Sequence, residues 1–186
     1  MRKFIVISIA LLMIAGFAIT SSAEELVVGR EGMIVGTLTV GVVGDDLVVT
    51  YDITGSGWEL LETHLYVGYT NPELYLNSAP GQFPYSEEHD PAVLTVTYTY
   101  TIPISMIDSY KLKGGKKWVV DDEGEPGTVI YIAAHAEIGM VDEFGEPVLD
   151  DPDPLIGEQI EETTWAEGTE IRPGKNWAMY FEFEVE

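Results

Sequence analysis

The chain has 186 residues, with 32 Asp and Glu against 9 Lys and Arg, a formal charge of −23, no cysteine and 46% hydrophobic residues. This composition fits one globular domain and excludes a disordered chain, a disulfide scaffold, a thiol nucleophile and any Cys-based metal or iron–sulfur site. Such an excess of negative charge repels nucleic acid and anionic lipid and favours cations or basic partners.

Arg2 and Lys3 precede the apolar run from Phe4 to Ile19, and Ser21-Ser22-Ala23 then supplies a small-x-small cleavage pattern. Residues 1–23 therefore read as an export signal peptide, with Glu24 as the first mature residue. Removing it leaves 7 basic against 32 acidic residues, a formal charge of −25. The apolar run is short for a membrane span, and the expectation is a single domain, 24–186, secreted or held at the cell surface without an integral membrane anchor.

Beyond Glu25 the hydrophobic period is two, which predicts antiparallel strands and little helix. Ile34, Leu38, Val40 and Val42 alternate with Val35, Thr37, Thr39 and Gly41, and Gly44-Asp45-Asp46 turns the chain into Leu47, Val49, Tyr51 and Ile53, a hairpin. After Gly55-Ser56-Gly57, a third strand sets Leu61, Thr63, Leu65 and Val67 on one face and Glu62, His64 and Tyr66 on the other. Residues 71–91 carry four prolines and predict a long irregular loop. Leu94, Val96, Tyr98, Tyr100 and Ile102 alternate with threonines in the next strand. A helical turn is expected within 104–110, followed by a basic island of Lys111, Lys113, Lys116 and Lys117. Two acidic turns, at 122–126 and 142–147, bracket a strand in which Ile130, Ile132, Ala134 and Ala136 alternate with Tyr131, Ala133, His135 and Glu137. In the last strand Trp177, Met179, Phe181, Phe183 and Val185 share a face.

Taken in order, Leu61-Glu62-Thr63-His64-Leu65-Tyr66-Val67-Gly68, Pro80-Gly81-Gln82-Phe83-Pro84-Tyr85, Glu88-His89, Tyr131-Ile132-Ala133-Ala134-His135-Ala136 and Lys175-Asn176-Trp177-Ala178-Met179-Tyr180-Phe181, with the Trp165 segment between the last two, form a recognisable set. It resembles a β-rich module that recurs in secreted and cell-surface proteins of bacteria and archaea. The resemblance runs from Trp58 to the C-terminus and implies export and a β fold, with no activity attached.

Three constellations are candidates for function. His64, His89 and His135 supply imidazole near carboxylates, a ligand set for zinc or copper, although no His-x-His or His-x-x-x-His spacing joins them. Asp142, Glu143, Asp150, Asp151 and Asp153 offer hard oxygen ligands of the kind calcium takes, without an EF-hand pattern. Trp58 and Trp165 are candidate surface anchors for a protein or carbohydrate partner, and Lys111, Lys113, Lys116 and Lys117 are candidates for a charge-complementary contact, with another copy of the chain among the options. No Gly-x-Ser-x-Gly elbow or His-Glu-x-x-His helix marks a hydrolase.

The reading is an all-β, single antiparallel β-sandwich, jelly-roll or immunoglobulin-like, of seven to ten strands. Its expected function is that of a secreted, non-enzymatic module for partner binding or assembly, stabilised by calcium. The alternative is a histidine-dependent metal-binding protein, and a hydrolase acting on surface polymers ranks third.

Overall fold

The computed structural model describes residues 21–30, 32–74, 79–90, 93–113, 117–121, 127–151 and 157–185. The described residues form twelve strands: β1 (Ser21–Val28), β2 (Met33–Val43), β3 (Asp46–Asp52), β4 (Trp58–Gly68), β5 (Tyr85–Glu88), β6 (Thr97–Pro103), β7 (Tyr110–Lys113), β8 (Lys117–Val120), β9 (Val129–Met140), β10 (Glu161–Ala166), β11 (Thr169–Glu170) and β12 (Met179–Glu184). Helix among them is limited to single 3₁₀ turns, of which Ile104–Met106 is the turn expected ahead of the basic island. The fold is all-β and antiparallel, as the period-two pattern predicts. β1 begins inside the expected leader: Ser21, Ser22 and Ala23 pair with Gly41, Val40 and Thr39.

Ten strands make one sheet, and β7 and β8 form a separate hairpin. β9 is the hub. One of its edges pairs with β4 along nearly its whole length, while the other is divided between β12, which takes Val129 to Ile132, and β10, which takes His135 to Gly139. From β10 the sheet continues through β1, β2 and β3 to β6, and β5 lies outside β4. The layers of the sandwich are the two halves of this one curled sheet, which forms a half-barrel. Its far end folds back onto β4: the Leu60 N–H donates to the Thr95 carbonyl at 2.7 Å, the Tyr51 hydroxyl to the His64 carbonyl at 3.0 Å, and the Thr63 and Tyr100 hydroxyls meet at 2.9 Å.

Two bulges bend the sheet and shift its sequence phase. In β2, Gly36 pairs with Leu26 and Ile34 with Val27, so Val35 is the extra residue. Val35 is buried and Ile34 is 56% exposed, the reverse of the sequence expectation, whereas Leu38 and Val40 keep their places in the core. Gly36 beside the bulge has no room for a side chain, because a Cβ there would overlap the Asp52 carbonyl oxygen. In β4, Leu60 pairs with Ile138 and Glu62 with Glu137, leaving Leu61 as the extra residue. Trp58 and Leu60 thus face the same core as Thr63, Leu65 and Val67.

The main core fills the curl, with Leu26, Leu38, Val40, Leu47, Val49, Tyr51, Ile53, Leu65, Ile130, Ile132 and Ile138 fully buried. Each such aliphatic side chain contributes about 1.5–3 kcal/mol relative to exposure. A second cluster covers the outer face of β4, β9 and β10: Tyr66, Phe83, Tyr110, Ala133, Trp165, Ile171, Ala178 and Tyr180. The Pro-rich loop supplies Phe83, whose ring stands edge-on to Tyr66 at 6.2 Å and to Trp165 at 6.1 Å. The middle of the β4–β9 ladder is consequently buried on both faces. The expected shared face of the last strand divides between the two clusters: Phe181 and Phe183 enter the main core, while Trp177 and Met179 pack on the outer one.

Replacing Gly36 by Ala is expected to lower stability by about 1–3 kcal/mol, the ordinary cost of overpacking. Urea unfolding followed by tryptophan fluorescence would show it as a lower midpoint at unchanged slope. An unchanged midpoint would contradict the close approach of β2 to Asp52.

Candidate functional site

Strand alternation places Glu62, His64 and Tyr66 on the outer face of β4, and Ala133, His135 and Glu137 on the outer face of β9. The antiparallel register then sets Glu62 opposite Glu137 and His64 opposite His135. The same rungs extend to either side. Glu88 of β5 pairs with Glu62 and Ser86 with His64, while Thr163 of β10 pairs with Glu137 and Trp165 with His135. A carboxylate rung and an imidazole rung therefore lie side by side on one face.

The histidines are buried, His64 at 4% and His135 at 5% exposure. The Nε2 of His64 stands 3.2 Å from Oε1 of Glu62, and the two imidazoles are centred 5.5 Å apart. On its other side His135 meets Trp165 edge-on at 4.9 Å. The Nδ1 atoms of both histidines are buried without a hydrogen-bond partner. Burial, aided by neighbouring His64, pushes the His135 pKa down to about 3, so this imidazole is neutral at physiological pH. Among the described residues, the one group of three or more potential metal-ligating side chains comprises Glu62, His64 and Glu137, whose ligand atoms all lie within 4.8 Å of one another. It opens onto a shallow cleft of about 320 Å³ lined by Glu137, Glu161, Glu162 and Thr163.

Of the three histidines expected to converge, the fold brings two together. His89 lies across β4 from them: its ring approaches the Thr63 hydroxyl at 3.4 Å and packs on Tyr98 at 4.8 Å, on the face that His64 does not share. Burial lowers its pKa, opposed by Glu87 and Glu62. The acidic loop has a structural use for its first aspartates. Oδ1 of Asp142 accepts the N–H groups of Phe144 and Glu146, and Oδ1 of Asp150 accepts that of Glu158. Glu143 is exposed and Asp151 half-buried. Asp153 lies outside the described residues.

The two tryptophans expected as surface anchors are buried: Trp58 is 7% exposed in the main core and Trp165 is 4% exposed in the outer cluster. Their indoles fill the curl and its cover because the bulge at Leu61 and the Pro-rich loop close over them. Half-buried Trp177, centred 6.5 Å from Trp165, lies nearer the surface. It lines a cleft of about 380 Å³ together with Glu25, Val27, Gly29, Arg30, Gly32, Glu167, Glu170 and Met179. Lys111 and Lys113 lie on β7 and Lys117 on β8, and Lys116 lies outside the described residues.

In the sequence, Glu62 and Glu137 read as outer-face residues and not as ligands. The signal was there as Glu62-x-His64 and His135-x-Glu137, spacings that put both members of each pair on one face of a strand. Nothing comparable marks Trp177, Glu167 and Glu170, which meet only through the β10–β12 connection.

No protein-family model matches the chain, and comparison with curated proteins and with solved structures found no match.

The lowered pKa of His135 has a consequence for stability. Between pH 6.5 and 3 the unfolded chain binds a proton at this residue that the folded chain does not, so its contribution falls as pH is lowered through that window, by up to about 1.4 kcal/mol per pH unit. Denaturant melts of the metal-free chain from pH 7 to pH 5 should show declining stability, and His135→Gln should flatten the slope. A slope unchanged by the substitution would place the titrating group elsewhere.

Proposed function

We propose that the chain is an exported, non-enzymatic binding module whose partner surface is the cleft beside Trp177. The observation that carries this reading is the cleft's lining, with three carboxylates, an indole and one guanidinium around a space of about 380 Å³. Carboxylates and an aromatic face together suit lysine or arginine side chains, through charge-assisted hydrogen bonds and cation–π contact. The formal charge, −25 once residues 1–23 are removed, draws a basic segment toward the surface before any contact forms. The partner class is therefore an extracellular protein presenting a basic stretch. The basic β7–β8 hairpin of a second copy carries the same chemistry.

Export rests on the leader-like N-terminus. No helix among the described residues is long and apolar enough to cross a membrane. Intact-mass analysis of material recovered outside the cell should give a chain starting at Glu24, and retention of residues 1–23 would count against release.

Titration with a short oligolysine peptide should perturb the Trp177 indole resonance, with affinity falling as salt rises. Trp177→Ala and a Glu167→Gln/Glu170→Gln pair should each weaken binding at least tenfold. If a neutral oligosaccharide moves that resonance and the peptide does not, the surface is a carbohydrate site and the basic-partner reading fails. A second reading, metal binding, is favoured by the cluster of Glu62, His64 and Glu137 on the same outer face.

A further inference from the structure

We propose that Glu62, His64, Glu137 and His135 form a closed site for a borderline divalent transition ion, zinc being the reference case, which clasps β4 to β9. This site is separate from the cleft beside Trp177 and stands whether or not that cleft binds a basic segment.

Register is the first support. Glu62 and Glu137 face each other directly across an antiparallel pair, an arrangement that is destabilising for like charges unless a cation lies between them. Among the described residues, the nitrogen beside this rung is Nε2 of His64, near Oε1 of Glu62. The spacing is close to what a small ion needs. Zinc–nitrogen and zinc–oxygen bonds of about 2.0–2.2 Å imply donors roughly 3.4 Å apart in a tetrahedron. His64 Nε2 and Glu62 Oε1 are already 3.2 Å apart, and Glu137 completes a set whose ligand atoms lie within 4.8 Å.

The histidines supply the second, independent support. Both are more than nine-tenths buried, and each leaves its Nδ1 without a hydrogen-bond partner. Buried polar atoms are ordinarily paired, so these neighbouring orphans mark the imidazole rung as incompletely satisfied; since Nε2 of His64 is the nitrogen beside Glu62, the orphan open to the ion is Nδ1 of His135. His135 stands just outside the three-residue group, its ring centred 5.5 Å from that of His64, and must turn about its side-chain bonds to reach the ion.

Charge and donor type select the ion. Two carboxylates balance a divalent cation and two neutral imidazoles add no charge, so the loaded site is uncharged where it is half-buried. Two nitrogen donors favour zinc or copper and disfavour calcium and magnesium, which take oxygen. Four protein donors leave a tetrahedral ion no open position, which makes the role structural.

The test begins with the chelator-treated chain, titrated with zinc chloride and separately with calcium chloride by calorimetry. The expected result is one zinc per chain, a raised melting temperature and no comparable effect of calcium. In the unmodified protein, zinc should shift the ring-proton resonances of His64 and His135 and leave those of His89 in place. Glu137→Gln and His64→Ala should abolish tight binding, and His135→Gln should weaken it by tenfold or more, each variant first checked for the parent's far-ultraviolet circular dichroism without metal. Absence of zinc binding, or a calcium effect equal to that of zinc, overturns the site. Zinc binding that shifts His64 alone and survives His135→Gln overturns the four-ligand assignment, and dependence on His89 moves the ion to the other face of β4.

Discussion

The register between β4 and β9 is the constraint on which the rest of the molecule depends. β9 is the strand with three neighbours, and its ladder to β4 is buried on both faces through the middle of its length. Shifting an antiparallel register by one residue would send every side chain of one strand to the opposite face. Here that would drive Glu62, His64 and Tyr66 into the main core and expel Thr63, Leu65 and Val67, an exchange with no compensating contact. The bulge at Leu61 makes the register hold at both ends: it allows Trp58 and Leu60 to share the core with Thr63 and Leu65 although an odd number of residues separates the two sets.

The sequence announces the strands and their faces well where alternation is uninterrupted. Leu47, Val49, Tyr51 and Ile53 are buried as the pattern requires, and so are Ile130, Ile132, Ala134 and Ala136. It misleads where one inserted residue changes the phase. Ile34 and Val35 exchange roles because a bulge is a property of two paired strands, and period counting sees one strand at a time. The second cluster was hidden for a similar reason. Phe83, Ile171 and Ala178 lie in loops or at strand ends, and what makes them core is the tertiary placement of those loops over the outer face of β4 and β9. Trp165 illustrates the outcome: an indole on a polar-looking face becomes interior once Phe83 and Trp177 cover it.

The candidate sites were legible to different degrees for physical reasons. Residues two apart on one strand must share a face, so Glu62 with His64 and His135 with Glu137 were already pairs in the sequence. Their convergence needed the register, which sequence spacing between distant strands does not reveal. His89 shows the converse. It sits beside acidic residues in sequence, yet its loop returns along the far side of β4, where Thr63 and Tyr98 receive it. In the acidic loop, clustered aspartates suggest an ion; Oδ1 of Asp150 accepts the Glu158 N–H across the loop, and Oδ1 of Asp142 holds the N–H groups of Phe144 and Glu146 in the turn that follows it. That is the use to which aspartate is most often put when a turn follows it.

Most of this protein is locally consistent: strand-forming residues lie in strands, apolar residues fill the curl, and turns carry glycine and aspartate. The imidazole rung is where that consistency breaks. For stability alone, aliphatic residues of similar size at His64 and His135 would avoid two unpaired ring nitrogens, and removing one member of a facing glutamate pair would relieve the adjoining rung. Natural sequences keep such violations mainly where they serve a function and offset them elsewhere. Trp165 packs on His135, and Tyr66 and Phe83 extend the apolar cover, lowering the local dielectric so that any charge brought to Glu62 and Glu137 interacts more strongly than it would at an open surface. The same cover that makes the unpaired imidazoles costly thus strengthens the attraction of the rung for a cation, and both effects follow from the register that set histidine against histidine and glutamate against glutamate.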